Sequence, residues 1–461
     1  MVIIITWGWI NILNLTDQFI EELYSMSNSQ YPDKIKHQAK RCLLDYIGVT
    51  IAGAKILKAK TERLLCFLGD LSGNATAIGH GRKTSIQNAA FLNGLSAHVA
   101  ELDDGVRFGM FHPGSPIISA LLTIAEAEKL KGEALISGII TGYEASTRLA
   151  CAMQPSHYAK GYHPTSTCGT IGAAIGIAAM LDFTKSEMKD AFSSAVVSSS
   201  GTLKVLEDKS ELKPLNVGRA ALNGLMAAYF ARAGFEGPND VLTGNTGFFE
   251  VMSEKFDILC LFKNTKKDFA IERVYFKPYA SCRHTHSAIE ATLLLRSNYN
   301  IKVKDINSIN VKTYHTIVGK HDHIKVHGIS SAKMSIPFNV ALAYVLGSVG
   351  LNEFIEICTN NTDILSLTKK VTVKGDDELS ELLPDTRPAV VEIKTKNGCS
   401  YSERVDLPKG EPENPLSDTE IEDKFTALSL YGGKTNKECI DIIGIVWNLE
   451  SRLNNLYRLL L

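Results

Sequence analysis

The sequence predicts a mainly α protein: a large all-helical domain made from both ends of the chain, with a smaller α+β domain inserted as a lid. Three observations predict it. Residues 14–270 carry helical runs unusually rich in Ala, Gly and Ser, the texture switches near 271 to alternating apolar and polar positions, and helical periodicity resumes after the Pro/Gly-rich link 407–417. The expected division is 1–270 and 405–461 for the helical domain and 271–404 for the lid. A chain of 461 residues needs such a division, because one core stops growing at roughly 250–300 residues.

In chain order, the runs 170–181, 191–201 and 219–234 place small residues three and four apart, which lets helix backbones approach closely. Charged segments such as 184–190 interrupt these runs, and Thr184 followed by Glu187 matches a capping box that opens a helix. Strand candidates are 306–317, 369–376 and 390–398, the last ending in the hairpin-turn pair Asn397-Gly398. Helix candidates 287–299 and 337–346 lie between them. Two helices, 418–430 and about 436–459, should return the chain to the first domain.

With 49 Lys+Arg against 50 Asp+Glu, the chain has no cationic surplus, which argues against nucleic acid as a partner. Its nine cysteines form no C-x-x-C pair and predict reduced thiols rather than a disulfide framework or a zinc cluster. The apolar stretch 1–10 lacks a cationic leader and is too short to span a bilayer, so a cytoplasmic protein without membrane contact is expected.

P-loop, dinucleotide-binding, zinc-peptidase and hydrolase-elbow motifs do not occur, so the chemistry is sought in charged residues stranded among small and apolar ones. Glu101, Asp103 and Asp104 crowd together after an apolar helix and precede Arg107 and His112. Crowded carboxylates raise one another's pKa, which suits proton transfer, although a solvated helix-ending loop has the same pattern. His163 stands before Pro164 and a Ser/Thr run that opens a helix, a place for a proton donor or for a turn histidine. Lys213 precedes Pro214 and fits either a carboxylate-binding lysine or an exposed loop residue. Lys277, Arg283, His284 and His286 lie within ten residues of one another, interleaved with Tyr275 and Tyr279. The H-x-H pair invites a metal, as does His321-Asp-His323 with His327, but further ligands are missing, and a basic dock for a carboxylate-bearing substrate is the better reading.

Taken together and in this order, Asn93–Asp104, His112-Pro-Gly114, His163-Pro164, 213–218, Lys277-Pro-Tyr279 with His284-Thr-His286, 332–343 and 412–417 resemble the MmgE/PrpD family over about 15–450. The family holds 2-methylcitrate dehydratase, cis-aconitate decarboxylase and iminodisuccinate epimerase. The resemblance implies the helical body with an α+β lid, a homodimer, and no metal or organic cofactor. It places Lys213, His163 and His112 among the active-site residues. The acidic motif departs from the pattern: relatives show Asp-(aromatic)-Asp-Asp-Thr, whereas this chain has Glu101-Leu-Asp103-Asp104-Gly105.

The expected function is a cofactor-independent lyase, a dehydratase acting on a citrate-like di- or tricarboxylate by proton abstraction next to a carboxylate. An epimerase or a decarboxylase on a related acid is the alternative, and a non-catalytic dimeric scaffold is the alternative from another class. The residues expected to carry catalysis are Lys213, His163, His112, Glu101 and Asp104. Those expected to bind substrate are Asp103, Lys277, Arg283 and His284.

Overall fold

The computed structural model describes residues 14–68, 72–206, 210–262, 268–354 and 361–461, so the apolar stretch 1–10 lies outside the described residues. The fold is mainly α. Counting helices of ten residues or more, the body begins with α1 (Leu15–Ser27), α2 (Asp33–Leu68), α3 (Ile86–Val99) and α4 (Gly114–Ala127). It continues with α5 (Gly132–Met153), α6 (Pro164–Met180), α7 (Lys185–Ser198) and α8 (Lys213–Arg232). The capping box at Thr184 and Glu187 forms and opens α7.

The small residues act at the helix crossings. A Cβ added to Gly142 on α5 would lie 2.6 Å from the carbonyl oxygen of Gly172 on α6. One added to Gly94 on α3 would lie 2.9 Å from the Cα of Gly218 on α8. These helices therefore meet backbone to backbone, at separations that no larger residue permits. The consequence for function is positional, because α3, α6 and α8 each carry a site residue at or near one end.

Residues 14–270 are not helical throughout. A hairpin of β1 (Ala75–Ala77) and β2 (Arg82–Thr84) follows α2, and beyond α8 the chain turns irregular, with only the short helix Phe248–Met252 and isolated 3-10 turns. Gly234, Gly237, Pro238, Gly244 and Gly247 break the periodicity there. Strand β3 (Gly105–Val106) pairs antiparallel with β4 (Val274–Tyr275), clipping the acidic segment to the chain that enters the second domain.

The second domain has a separate core, which Val49, Ala52, Ala100, Leu102 and Leu428 of the body join. Val274 and Phe276 still belong to the core of the body, whereas Ala280 belongs to the core of the inserted domain, so the chain changes cores between them rather than at 271. Helix α9 (His286–Asn298) and helix α10 (Ile336–Leu346) cover a four-stranded sheet. The sheet comprises β5 (Ile306–Thr313), β6 (Val371–Gly375), β7 (Ala389–Thr395) and β8 (Ser400–Val405), in the order β6-β5-β7-β8. Strands β5 and β6 are parallel and the other pairs antiparallel, and Gly398, at φ +88°, makes the turn after β7.

After Val405 the chain returns to the body. Helix α11 (Asp418–Gly432) lies on α2, with Phe425 against Gly48, and α12 (Asn436–Trp447) follows. Helix α13 (Leu449–Leu460) packs on α5. Capping boxes at Ser417 with Glu420 and at Thr435 with Glu438 open α11 and α12. No helix among the described residues is long and apolar enough to cross a membrane.

Candidate active site

Helix α3 ends at Val99, and the chain turns through residues 100–104 with Glu101 at φ +58°. A non-glycine residue in this region costs about 1–2 kcal/mol, so the surroundings must enforce it. Lysines do so. Lys333 Nζ donates to the carbonyl of Ala100 (2.9 Å), Lys277 Nζ to that of Glu101 (3.2 Å) and Lys424 Nζ to that of Leu102 (2.8 Å). Lys213 Nζ, from the first residue of α8, holds the Glu101 carboxylate at 2.5 Å. Carbonyls past a helix C-terminus carry the negative end of its dipole, so cations belong there.

Three imidazoles stand next to this turn. Asp103 Oδ2 accepts from His98 Nδ1 and from Ser115 Oγ, both at 2.7 Å. The His98 ring lies 5.1 Å from His112 and 6.1 Å from His163, centroid to centroid. His112 Nδ1 donates to the carbonyl oxygen of Asp104 at 2.5 Å, and its amide donates to Thr165 Oγ1 at 3.1 Å, tying its loop to α6. His163 caps α6 with Pro164 as the first helical residue.

The partners set the tautomers. A carbonyl can only accept, so the proton of neutral His112 sits on Nδ1 and Nε2 keeps its lone pair. The Asn216 amide nitrogen donates to the carbonyl of Thr202 (3.2 Å) and lies 3.3 Å from His163 Nδ1. It is therefore a donor, His163 Nδ1 accepts, and His163 Nε2 carries the proton. Burial pushes His112 down to about 3, with Asp103 opposing and Lys277 assisting, and it holds His163 well below the ordinary imidazole value. Both rings are neutral at pH 7: one offers a bare nitrogen and the other an N–H.

Burial works to raise the carboxyls of Glu101 and Asp103, but neighbouring lysines and imidazoles outweigh it. Lys213 and Lys277 hold Glu101 far below the usual carboxylate range, and His112, His98 and Lys277 do the same for Asp103. Burial lowers Lys333 to about 8, against the pull of Glu101.

The structure thus brings His112, His163, Lys213, Lys277, Glu101 and Asp103 together. Asp104 is placed differently. Its carboxyl accepts from the Gly114 amide (3.0 Å) and the Tyr143 hydroxyl (2.7 Å), and burial raises it to about 7; only its backbone carbonyl serves the histidines.

Arg283, which its sequence context suggests as a substrate cation, is already engaged within the protein. Its Nε and Nη2 donate to Glu411 Oε1 (3.1 and 2.6 Å), its Nη1 meets His286 Nδ1 (2.8 Å), and it stacks over Tyr275 at 4.6 Å. The other Glu411 oxygen accepts from Arg107 at 2.8 Å, so Glu411 joins an arginine of the body to one of the inserted domain. His284 bonds the Tyr314 hydroxyl and packs against His321, at 5.4 Å, outside the histidine–lysine cluster.

Three contributors escaped the sequence reading. His98 sits inside an apolar helix, Lys333 inside an apolar run, and Glu411 in a linker; position within the motifs 93–104 and 332–343 was the available signal for the first two. His98 Nε2 and Asp103 Oδ1 are buried with no hydrogen-bond partner, which leaves polar valence for a ligand. Among the described residues no group of three or more His, Cys, Asp or Glu is arranged to hold a metal ion.

The altered acidic motif also has a local reason. A Cβ on Gly105 would lie 2.3 Å from the Tyr275 hydroxyl, so the β3–β4 clip in this chain excludes the threonine of the family pattern.

The MmgE/PrpD N-terminal domain model matches residues 18–260 and the MmgE/PrpD C-terminal domain model matches 279–449. Cis-aconitate decarboxylase of Homo sapiens is 23% identical over 457 residues, covering 95% of this chain and 92% of that protein. The Mus musculus protein of the same name is 23% identical over 446 residues, covering 90% and 86%. Cis-aconitate decarboxylase of Aspergillus terreus is 24% identical over 442 residues, covering 90% and 89%. Both family domains, in order and across nearly the whole chain, coincide with the two cores and the histidine–lysine turn between them, and the chain belongs to the MmgE/PrpD family.

Proposed function

We propose that this chain is a cofactor-independent lyase that removes CO2 from an unsaturated tricarboxylate of the cis-aconitate type. The relatives' names favour decarboxylation, and the site supplies what that reaction needs. When the bond to CO2 breaks, its electron pair moves into the carbon framework and onto a neighbouring carboxylate. Lys213 and Lys277 supply fixed positive charge for that build-up in a site that excludes bulk water, where such charges are worth most. His163 Nε2–H then delivers the proton that completes the product. The observation that carries this reading is the neutral His112/His163 pair in opposite tautomers, beside two lysines.

Dehydration of a citrate-like hydroxy acid is the second reading, and the same tautomers favour it. His112 Nε2 takes the proton next to a carboxylate, while His163 Nε2–H protonates the departing β-hydroxyl. The test is a panel of unsaturated and hydroxylated di- and tricarboxylates, followed by NMR in D2O with CO2 collected. CO2 with loss of the alkene substrate supports the first reading, a new alkene from a hydroxy acid supports the second, and deuterium exchange without net product indicates an epimerase. On the accepted substrate, Lys213→Ala should lower kcat by about 10²–10³ and His163→Ala by about 10²–10⁴. Wild-type turnover by both variants would remove the proposal.

A further inference from the structure

Arg387 occupies a position no part of the site yet explains. It immediately precedes Pro388, which favours an extended backbone, and the chain is pinned on both sides. Ser287 Oγ, at the start of α9, donates to the carbonyl of Arg387 at 2.5 Å, and Thr313 Oγ1, at the end of β5, donates to that of Pro388 at 2.8 Å. The side chain is half-buried, yet among the described residues no carboxylate lies within ion-pair distance of it and no hydrogen bond engages its guanidinium. The contrast with Arg107 and Arg283, both locked to Glu411, is sharp. An arginine taken partly out of water without a counter-ion is costly, and it is normally retained where an anion arrives.

Its surroundings face the site. The charge of Arg387 acts on Tyr275, Tyr314 and Cys282 of the inserted domain and, across the seam between the two cores, on Tyr158 of the body. Lys213 acts on the same Tyr158 and on Cys282, so Arg387 and Lys213 share neighbours along the seam. The polar groups bordering it (the tyrosine hydroxyls, the Cys282 thiol and His284) bring no negative charge at neutral pH, and the carboxylate that acts on it, Glu411, is already engaged by Arg107 and Arg283. Burial raises Tyr158, Tyr275 and Tyr314 as well as Cys282. The lysine end of the seam is directly ion-paired with Glu101 and Asp103, whereas Glu411 acts on Arg387 only from beyond ion-pair distance.

We infer that Arg387 is the residue that reads the number of carboxylates, binding bidentately the carboxylate of the substrate that lies farthest from the Lys213/Lys277 turn. The inference rests on the polycarboxylate reading and adds to it: Lys213 and Lys277 hold the reacting end, and Arg387 selects an acid long enough and charged enough to span the seam. A planar fork suits this task better than an ammonium, because it fixes the carboxylate's orientation as well as its position.

Two unreactive probes test it, propane-1,2,3-tricarboxylate and propane-1,2-dicarboxylate, which keeps two adjacent carboxylates and lacks the far terminal one. Calorimetry on the full chain should show the wild type preferring the tricarboxylate. Arg387→Gln should weaken tricarboxylate binding by about 10- to 100-fold, the scale of a charge-assisted hydrogen-bond pair, with less than about threefold change for the dicarboxylate. Arg387→Lys should recover only part of the loss. On the accepted substrate, Arg387→Gln should raise KM far more than it lowers kcat. In the wild type, the tricarboxylate should shield Arg387 from phenylglyoxal and the dicarboxylate should not, a measurement that needs no variant to fold. Equal loss for both probes, no loss for either, or modification of Arg387 unaffected by the tricarboxylate would overturn the inference. A wild type that binds neither probe removes the polycarboxylate reading itself.

Discussion

Where α5 crosses α6, each backbone lies within van der Waals reach of the other's glycines, whereas the inserted domain meets the body through charge as well as apolar packing: Glu411 between Arg107 and Arg283, Lys333 on Ala100 and Lys277 on Glu101, beside Val49, Ala52, Leu102 and Leu428. The two kinds of junction have different stiffness. Backbone contact at glycine pairs leaves no side chain to rearrange, so His98, His163 and Lys213 are set by the helices that carry them. Ion pairs and lysine–carbonyl bonds depend on side chains with several rotatable bonds, and they respond to what else is charged nearby. A site built across both has a rigid half and an adjustable half.

The comparison breaks most visibly at Glu411. Glu411→Gln removes the charge shared by two buried guanidiniums, and only Arg107 retains another carboxylate, Glu413, at 2.6 Å. Stability should fall by about 3–5 kcal/mol, the cost of stripping one partner from a buried pair. Chemical denaturation should show the loss in the unfolding that exposes the inserted domain. A change below about 1 kcal/mol would mean that the domains are joined by something other than this charge.

A second measurement asks whether charge matters inside the rigid half. The Asp104 carboxyl titrates at about 7 in the folded protein against an ordinary 3.8. A raised carboxyl contributes its full stability below its unfolded value and loses it as pH climbs through the folded one. Wild type should therefore lose about 2–3 kcal/mol more than Asp104→Asn between pH 5 and pH 8. Parallel pH profiles for the two proteins would contradict this environment for Asp104.

The smallest effect sharpens the glycine half of the contrast. Gly142→Ala must push a methyl against the Gly172 carbonyl and should cost about 1–3 kcal/mol. Gly444, in α12, has open space where its Cβ would be, so Gly444→Ala should instead stabilise by about 0.5–1 kcal/mol. Thermal unfolding of the two variants checks both signs.

What could be read from the sequence was local. Small residues at helical spacing, the capping box at Thr184 and Glu187, and the turn at Asn397-Gly398 each depend on neighbours within a few positions, and the structure has all of them. The segments bearing His112, His163, Lys213 and Lys277 were likewise legible as charge set among small residues. What was illegible was pairing. Nothing within ten residues of Arg283 tells that Glu411, 128 positions away, neutralises it, and nothing near Arg387 tells that it lacks such a partner. Asp104 and Asp103 are adjacent and alike in sequence, yet opposite backbone directions send one carboxyl to Tyr143 and the other to His98.

The lysine grip on the end of α3 also has a consequence in time. Lys424 reaches Leu102 from 322 residues downstream, and it holds Asp45 at 2.5 Å with the same ammonium. On a ribosome adding about 5–20 residues per second, the acidic turn waits roughly 20–60 s for that latch. Throughout that interval the nascent body carries Asp45 without its cation and the Leu102 carbonyl without its lysine. Assembly of the site is therefore a late checkpoint in biogenesis: a chain cut short before α11 contains His98, His112, His163, Lys213 and Lys277, and still lacks the last cation that holds their turn closed.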